Sequence, residues 1–569
     1  MTQTRDRLIR RIDQALGRSK ADLVIRNTRF LNVVTGEVAA GDVAVCGDVI
    51  VGTYEAYDGV MEIDGRDKVV VPGFIDTHVH CESTLVTPLE FDACVLPRGT
   101  TTAICDPHEI CNVLGEQGLE FFLQSAGNTA MDLRVQLSSC VPATHLETAG
   151  GRLTADDLVR HRNHPKVVGL AEFMNYPGIF HHDPDVLDKL VAFDGWHIDG
   201  HSPMLSGREL NAYLSCGIRN CHECTSAPEA LEKLRKGMQV LIRDGSVTKD
   251  VSTLAPLINA ETSSFLAFCT DDRNPLDIHD EGHLDHLIRK SIRLGAPVAH
   301  VYRAATWSAA RGFGLRDRGL VAPGYRADLV LLDDLETCAV HSVIKDGRVV
   351  DAASFAGRAR VPLVGLDSIR LDPVESADFR VPASGPSGPV IGLKNHQVVT
   401  EHLTMSLPYR DGERLVDLDN DVLKVCVLGR HGKNRNIGRG FVKGFGFREG
   451  ALASSVGHDS HNVCVVGATD ADMALAVNRL IELKGGFVAV RNGRVIAELA
   501  LPVAGLMSDR DFKTVERNLV TLRASVRELG CPLDEPFLQL AFLPLPVIPH
   551  LKITDMGLVD VDRFELIAA

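Results

Sequence analysis

Along residues 72–320, short apolar runs alternate with helix-type stretches. The runs include Thr101-Thr-Ala-Ile-Cys105, Asp132-Leu-Arg-Val-Gln-Leu137, Val167-Val-Gly-Leu-Ala171, Trp196-His-Ile-Asp199 and Ser264-Phe-Leu-Ala-Phe-Cys269, and Ala227–Lys236 is a helical stretch between two of them. Strands buried on both faces read as near-continuous apolar runs, and strand–helix alternation over about 250 residues predicts a parallel (β/α)8 barrel, with a doubly wound sheet as the alternative. The flanks read differently. Ala21-Asp-Leu-Val-Ile-Arg26 and Gly41-Asp-Val-Ala-Val45 are short strands between turns, and similar phrasing returns at Ala327-Asp-Leu-Val-Leu-Leu332 and Val343-Ile-Lys-Asp-Gly-Arg-Val-Val350. Residues 1–70 and 321–365 are therefore expected to share one small β-domain flanking the barrel at 71–320. Leu8, Ile9, Ile12 and Leu16 space as one face of a short N-terminal helix. Pro373, Pro382, Pro386 and Pro389 predict a linker over 366–390. Residues 391–569 then form a C-terminal α/β domain, with a helix at Asp470–Leu483 and a Pro-rich closing stretch at Leu543–Pro549.

Charge and composition narrow the partners. The net charge of −15 argues against a nucleic-acid or anionic-membrane partner. The longest apolar runs fall far short of a membrane span, and the first twenty residues hold no apolar core of a secretory signal. The fourteen cysteines are scattered, so reduced thiols in a cytoplasmic protein are expected.

The chemistry sits where the apolar runs end. In Val69-Val-Val-Pro-Gly-Phe-Ile-Asp-Thr-His78-Val79-His80, two histidines stand at i and i+2, on one side of a strand. In a parallel barrel, reactive side chains occupy the C-terminal ends of strands. Those ends carry His78 and His80, then Cys105-Asp-Pro-His108-Glu109, then Glu172, then His201, then His222-Glu223, then Asp271-Asp272. Singly, each is an ordinary strand-end or loop residue. Together, four histidines, a bridging-capable carboxylate and a terminal aspartate suit a two-metal hydrolase. Cys221 and Cys224 have no second Cys-x-x-Cys to complete a zinc knuckle.

The Pro-Gly-Phe-Ile-Asp-x-His-x-His opening, the flanking β-domain and the late aspartate resemble the amidohydrolase superfamily. Within it the chain is similar to the adenine deaminases, on His78-Val-His-Cys-Glu-Ser83, Cys105-Asp-Pro-His-Glu109, Leu170-Ala-Glu-Phe-Met-Asn175, Gly200-His-Ser-Pro203, Thr270-Asp-Asp-Arg273 and Gly457-His-Asp-Ser-His-Asn462. The resemblance implies hydrolytic deamination of adenine to hypoxanthine and ammonia, in purine salvage. It puts His78, His80 and Asp271 on one ion, His201 and His222 on the other, and Glu172 across both. It also implies Mn²⁺ or Fe²⁺, with Zn²⁺ as a further candidate, and Asp271 as the proton carrier. Asp272 becomes a purine contact, and Glu109 or His108 the donor of a proton to ring nitrogen N1. His458, Asp459 and His461 are expected to close over the site as substrate contacts, or as a further metal ligand. A homodimer is the expected assembly. Two other readings stay open. A cyclic-amide hydrolase of the hydantoinase or dihydroorotase type would ordinarily carry a bridging lysine on the fourth strand, where only Lys166 stands, at the wrong end. A metal-free assembly protein would have lost ligands.

Overall fold

The computed structural model describes residues 4–395 and 397–569. Helix α1 (Arg5–Ala15) starts where the Thr4 hydroxyl accepts the Arg7 N–H. Its Arg11 guanidinium reaches Asp48 at 3.0 Å, while Leu8, Ile9 and Ile12, the apolar face expected from the sequence, are exposed.

Strands β1 (Ala21–Leu31), β2 (Val38–Cys46), β3 (Val49–Thr53), β4 (Gly59–Asp64) and β5 (Val69–Pro72) follow. Next come eight strands that pair only in parallel: β6 (Phe74–Val79), β7 (Thr100–Cys105), β8 (Asp132–Leu137), β9 (Val167–Phe173), β10 (His197–Gly200), β11 (Asn220–Cys221), β12 (Gln239–Arg243) and β13 (Leu266–Cys269). The chain then returns through β14 (Leu329–Asp334), β15 (Ala339–Lys345) and β16 (Arg348–Val349). Strand β14 pairs antiparallel with β5, Leu329 opposite Pro72 and Val330 opposite Val71, so both flanks complete one sheet in the order β16-β15-β14-β5-β1-β2-β3.

The parallel strands form a five-stranded sheet, β10-β9-β8-β7-β6, and a three-stranded one, β11-β12-β13. Two seams join them. At one, the Gly200 N–H donates to the Asn220 side-chain oxygen at 2.8 Å. At the other, the Asp271 N–H donates to the His78 carbonyl at 2.9 Å, just past the end of β13. Every residue of β6, β7, β12 and β13 is buried, which is why these segments carry no polar alternation.

The last part of the chain builds a second eight-stranded sheet, covered by the helix Asp470–Leu483. Residues 366–390, expected as a linker, lie partly against that helix: Val374 and Phe379 are buried with Met473 and Val477, and the Val374 N–H donates to Asn478 at 2.9 Å. This C-terminal part also holds the loop after β8. Thr554 donates to the Leu146 carbonyl at 2.6 Å, Lys433 to Ala149 at 2.8 Å, and Asn462 to Thr148 at 3.0 Å. Those bonds bring residues 457–462 over the strand ends. Among the described residues, no helix is long and apolar enough to cross a membrane.

Candidate metal centre

Period-2 alternation on β6 turns Asp76, His78 and His80 to one side. Asp76 accepts the Thr270 N–H at 3.1 Å and its hydroxyl at 2.6 Å, which fixes the end of β13 beside β6. Asp271 follows at φ 53°, a left-handed conformation unusual outside glycine and a mark of functional sites when the surrounding structure holds it.

The six residues expected as ligands converge. The Nε2 atoms of His78 and His80 lie 3.1 Å apart. Glu172 Oε1 is 3.6 Å from the first and 3.3 Å from the second, and Asp271 Oδ1 is 3.8 and 3.2 Å away. The other Glu172 oxygen faces the second pair: Oε2 is 2.7 Å from His201 Nδ1 and 3.3 Å from His222 Nε2. One carboxylate is thus divided between two histidine pairs. All six residues are less than a tenth exposed.

The ring tautomers test whether this set suits a cation. His78 Nδ1 lies 3.2 Å from Asp199 Oδ2, and His80 Nδ1 lies 3.0 Å from the Asp106 carbonyl. Each ring therefore carries its proton at Nδ1 and a lone pair at Nε2, the orientation typical of metal-binding imidazoles. Two such lone pairs and two carboxylate oxygens facing one gap repel unless a cation stands among them. Imidazole and carboxylate donors without thiolate suit Mn²⁺, Fe²⁺ or Zn²⁺.

Arg243, at the end of β12, is the principal residue the sequence reading did not single out. Its guanidinium forks onto Glu223, with Nη2 3.1 Å from Oε2, and reaches Asp271 Oδ2 at 2.8 Å and Asp250 at 3.3 Å. Burial works to raise the Glu223 carboxyl, but the Arg243 charge, with His201 and His222, holds it below its ordinary value. Burial likewise opposes ionisation of Asp271, and the Arg243 guanidinium on Oδ2 works against burial. The β12 run Gln239-Val-Leu-Ile-Arg243 offered the signal, since it ends in a charge at a strand terminus. Asp199 was missed too, although it stands on β10 only two residues before His201.

Of the remaining expected residues, His108, Glu109, Asp272, His458 and Asp459 ring the same cavity, while His461 stands behind Glu109 and does not line it. Its empty volume is about 480 Å³, open solvent at the mouth included, within the range of small-ligand sites. His108 donates from Nδ1 to Asp106 at 2.9 Å, and its Nε2 is 3.3 Å from Glu109 and 3.7 Å from Asp459. Glu109 is taken up by histidines: His458 Nδ1 is 2.7 Å from Oε1, and His461 Nε2 contacts Oε2. Asp272 accepts from the Ser83 hydroxyl, and burial followed by the Asp271 charge pushes its carboxyl up. Val398, Phe542, Leu545 and Ile548 supply an apolar side to the cavity, all from the C-terminal part of the chain.

Residues 69–350 match the amidohydrolase family, and residues 397–565 match the adenine deaminase C-terminal domain. Similar proteins include an adenine deaminase of Methylobacterium nodulans, 62% identical over 98% of this chain and 99% of its own. Adenine deaminase 1 of Agrobacterium fabrum is 60% identical over 98% of this chain and 97% of its own. An adenine deaminase of Gluconobacter oxydans is 60% identical over 97% of this chain and 98% of its own.

Proposed function

The chain belongs to the adenine deaminase family of amidohydrolases, and on that premise we propose that it hydrolyses adenine to hypoxanthine and ammonia. The observation that carries this reading is the match to adenine deaminases over nearly the whole chain, joined to a donor set made for two cations. We read residues 71–320 as a (β/α)8 barrel closed through the two seams, 1–70 with 321–365 as the small β-domain, and 391–569 as the C-terminal domain that completes the cavity. The expected setting is a homodimer in the cytoplasm.

In this proposal His78, His80 and Asp271 would hold one divalent ion and His201 and His222 the other, with the Glu172 carboxylate, divided between the two pairs, serving both. Mn²⁺ or Fe²⁺ is the expected occupant. Divalent ions bound there would make hydroxide available near neutral pH, since coordination lowers the pKa of water from about 15.7 toward about 7. The protein's own groups do the rest. Asp271 carries a proton at Oδ1 from the attacking oxygen to the departing amine, while Arg243 retains Oδ2 and fixes the carboxylate plane. Asp272, anchored by Ser83, faces the purine. The apolar side from Val398 to Ile548 covers the ring and thins the water around it.

The cyclic-amide alternative draws no support from the fourth parallel strand. Lys166 lies outside β9, and its Nζ donates to Asp132 at 2.8 Å, at the end of the strand opposite Glu172. The test is ammonia release from a panel of purines and cyclic amides with Mn²⁺-reconstituted protein. Adenine is expected to be the preferred substrate; preference for a cyclic amide would overturn the reading.

A further inference from the structure

Addition of a nucleophile to C6 of adenine drives the C6–N1 π pair onto N1, which must then be protonated. Glu109 and His108, the donors expected from the sequence, are both engaged. His108 gives its Nδ1 proton to Asp106 and sits 3.5 Å from Glu172. Both Glu109 oxygens face histidine nitrogens of the C-terminal part.

The wiring of those histidines is directional. His461 Nδ1 accepts the Gly457 N–H at 3.1 Å. A neutral imidazole that accepts at Nδ1 carries its proton at Nε2, so the contact of His461 with Glu109 Oε2 brings an N–H, and not a lone pair, against the carboxylate. This is the reverse of His78 and His80, whose Nδ1 atoms donate. Glu109, His458 and His461 are close enough together to hold an ion, yet the tautomer of His461 makes them an ion-paired group and leaves no Nε2 lone pair for a third metal. Glu109 Oε1 lies 2.7 Å from His458 Nδ1, as the counter-charge to that ring. The His458 ring stacks on Phe542 at 4.6 Å and 11°, lines the cavity, and has its Nε2 buried with no partner on the protein.

We propose that His458 is the catalytic acid that protonates N1 of adenine from Nε2, and that Glu109 and His461 are its positioning residues. The proposal rests on the adenine deaminase reading above. The charged groups facing His458 are Glu109, Asp272 and Asp459. Burial pulls its imidazolium down, and these three carboxylates, Glu109 foremost, raise it to about 9, so the ring is charged at neutral pH. The step balances. A C6–O bond forms, the π pair moves to N1, and His458 gives up its Nε2 proton. Asp271 then moves the hydroxyl proton to the amine, the C6–N bond breaks, and ammonia leaves. Hypoxanthine keeps the proton at N1, and the next water supplies one proton back to His458.

The test uses Mn²⁺-loaded full-length protein, wild type, His458→Asn and Glu109→Gln, with metal content, thermal midpoint and the pH profile of kcat/KM for adenine. His458→Asn is expected to lose about 10²–10⁴-fold in kcat while retaining two metals per chain, and its alkaline limb disappears. Glu109→Gln keeps that limb but moves it to lower pH, because the imidazolium loses its nearest counter-charge; a merely structural role would lower activity without moving the limb. A His458→Asn enzyme within threefold of wild type, or an alkaline limb unmoved in Glu109→Gln, overturns the proposal. So does a third tightly held metal that His461→Asn removes. If His458→Asn does not fold, the Glu109→Gln profile decides. A wild-type enzyme that releases no ammonia from adenine defeats the family reading, and this proposal with it, whereas an active wild type with an equally active His458→Asn defeats the proposal alone.

Discussion

Replacing Asp199 by Asn should loosen one metal and spare the other. Asp199 and His78 are both fully buried, with Asp199 Oδ2 3.2 Å from His78 Nδ1. That contact fixes the ring so that Nε2 faces Glu172 and Asp271, and a charged acceptor makes Nε2 more basic. Burial opposes ionisation of Asp199, yet the adjacent His197 and His78 rings hold its carboxyl below the ordinary range, so the acceptor is anionic throughout the neutral region. Asparagine keeps the shape and loses the charge. Loss of such a supporting carboxylate costs about 10–100-fold in metal affinity, or roughly 1.4–2.7 kcal/mol. The effect is expected at the ion proposed for His78, His80 and Asp271, because His201 and His222 make no hydrogen bond or ion pair with Asp199. Competitive titration of the metal-free protein with Mn²⁺ against a calibrated chelator resolves the two affinities. One constant weakened about 10–100-fold with the other unchanged is the expected result. Equal weakening of both, or of neither, would refute the assignment of His78 and Asp199 to a single site. His197, 3.7 Å from the other Asp199 oxygen, is the control, and His197→Gln should shift the same constant by less.

Other outcomes follow from the same geometry. Glu172→Gln, which removes the one carboxylate divided between the histidine pairs, should lower metal content and turnover together, read by elemental analysis and ammonia release. Phe542→Ala should raise KM for adenine about tenfold with metal content unchanged, because an aromatic face covering the cavity is worth about 1–2 kcal/mol in contact and stacking. Lys552 is fully buried and donates to the carbonyls of Val398 and Phe542, two cavity residues, and burial lowers its ammonium to about 7. With the folded pKa depressed, the unfolded chain binds the extra proton between about 7 and 10. Stability should therefore rise with pH across that window, at up to about 1.4 kcal/mol per unit from this group, and the rise should be missing from thermal midpoints of Lys552→Met.

How much of this was legible in the sequence depended on the distance over which a residue finds its partner. His78 and His80 are decided locally, by a period of two on a strand, so a short segment sufficed to pair them. Glu172, His201, His222 and Asp271 became visible because each closes an apolar run, and strand ends share one rim. Arg243 also closes a run, but its role depends on Glu223 and Asp271, 20 and 28 residues away in the chain. Asp199 is 121 residues from His78, and no local pattern announces that pairing. The segment 366–390 misled for a related reason: its prolines and glycines read as a loose connection, while Val374 and Phe379 find their burial on a helix about a hundred residues further along. The loop at 457–462 stood out by its histidines, but the bond from the Gly457 N–H that sets the His461 tautomer depends on the folded backbone and leaves no mark in the sequence.

Glu172 is proposed to join the two histidine pairs into one centre that needs both cations for the hydrolysis of adenine. The most direct test is a stepwise titration of metal-free protein with Mn²⁺ while ammonia release from adenine is followed. Activity is expected to reach its plateau at two ions per chain. Full activity at one ion, or in rigorously metal-free protein, would contradict it.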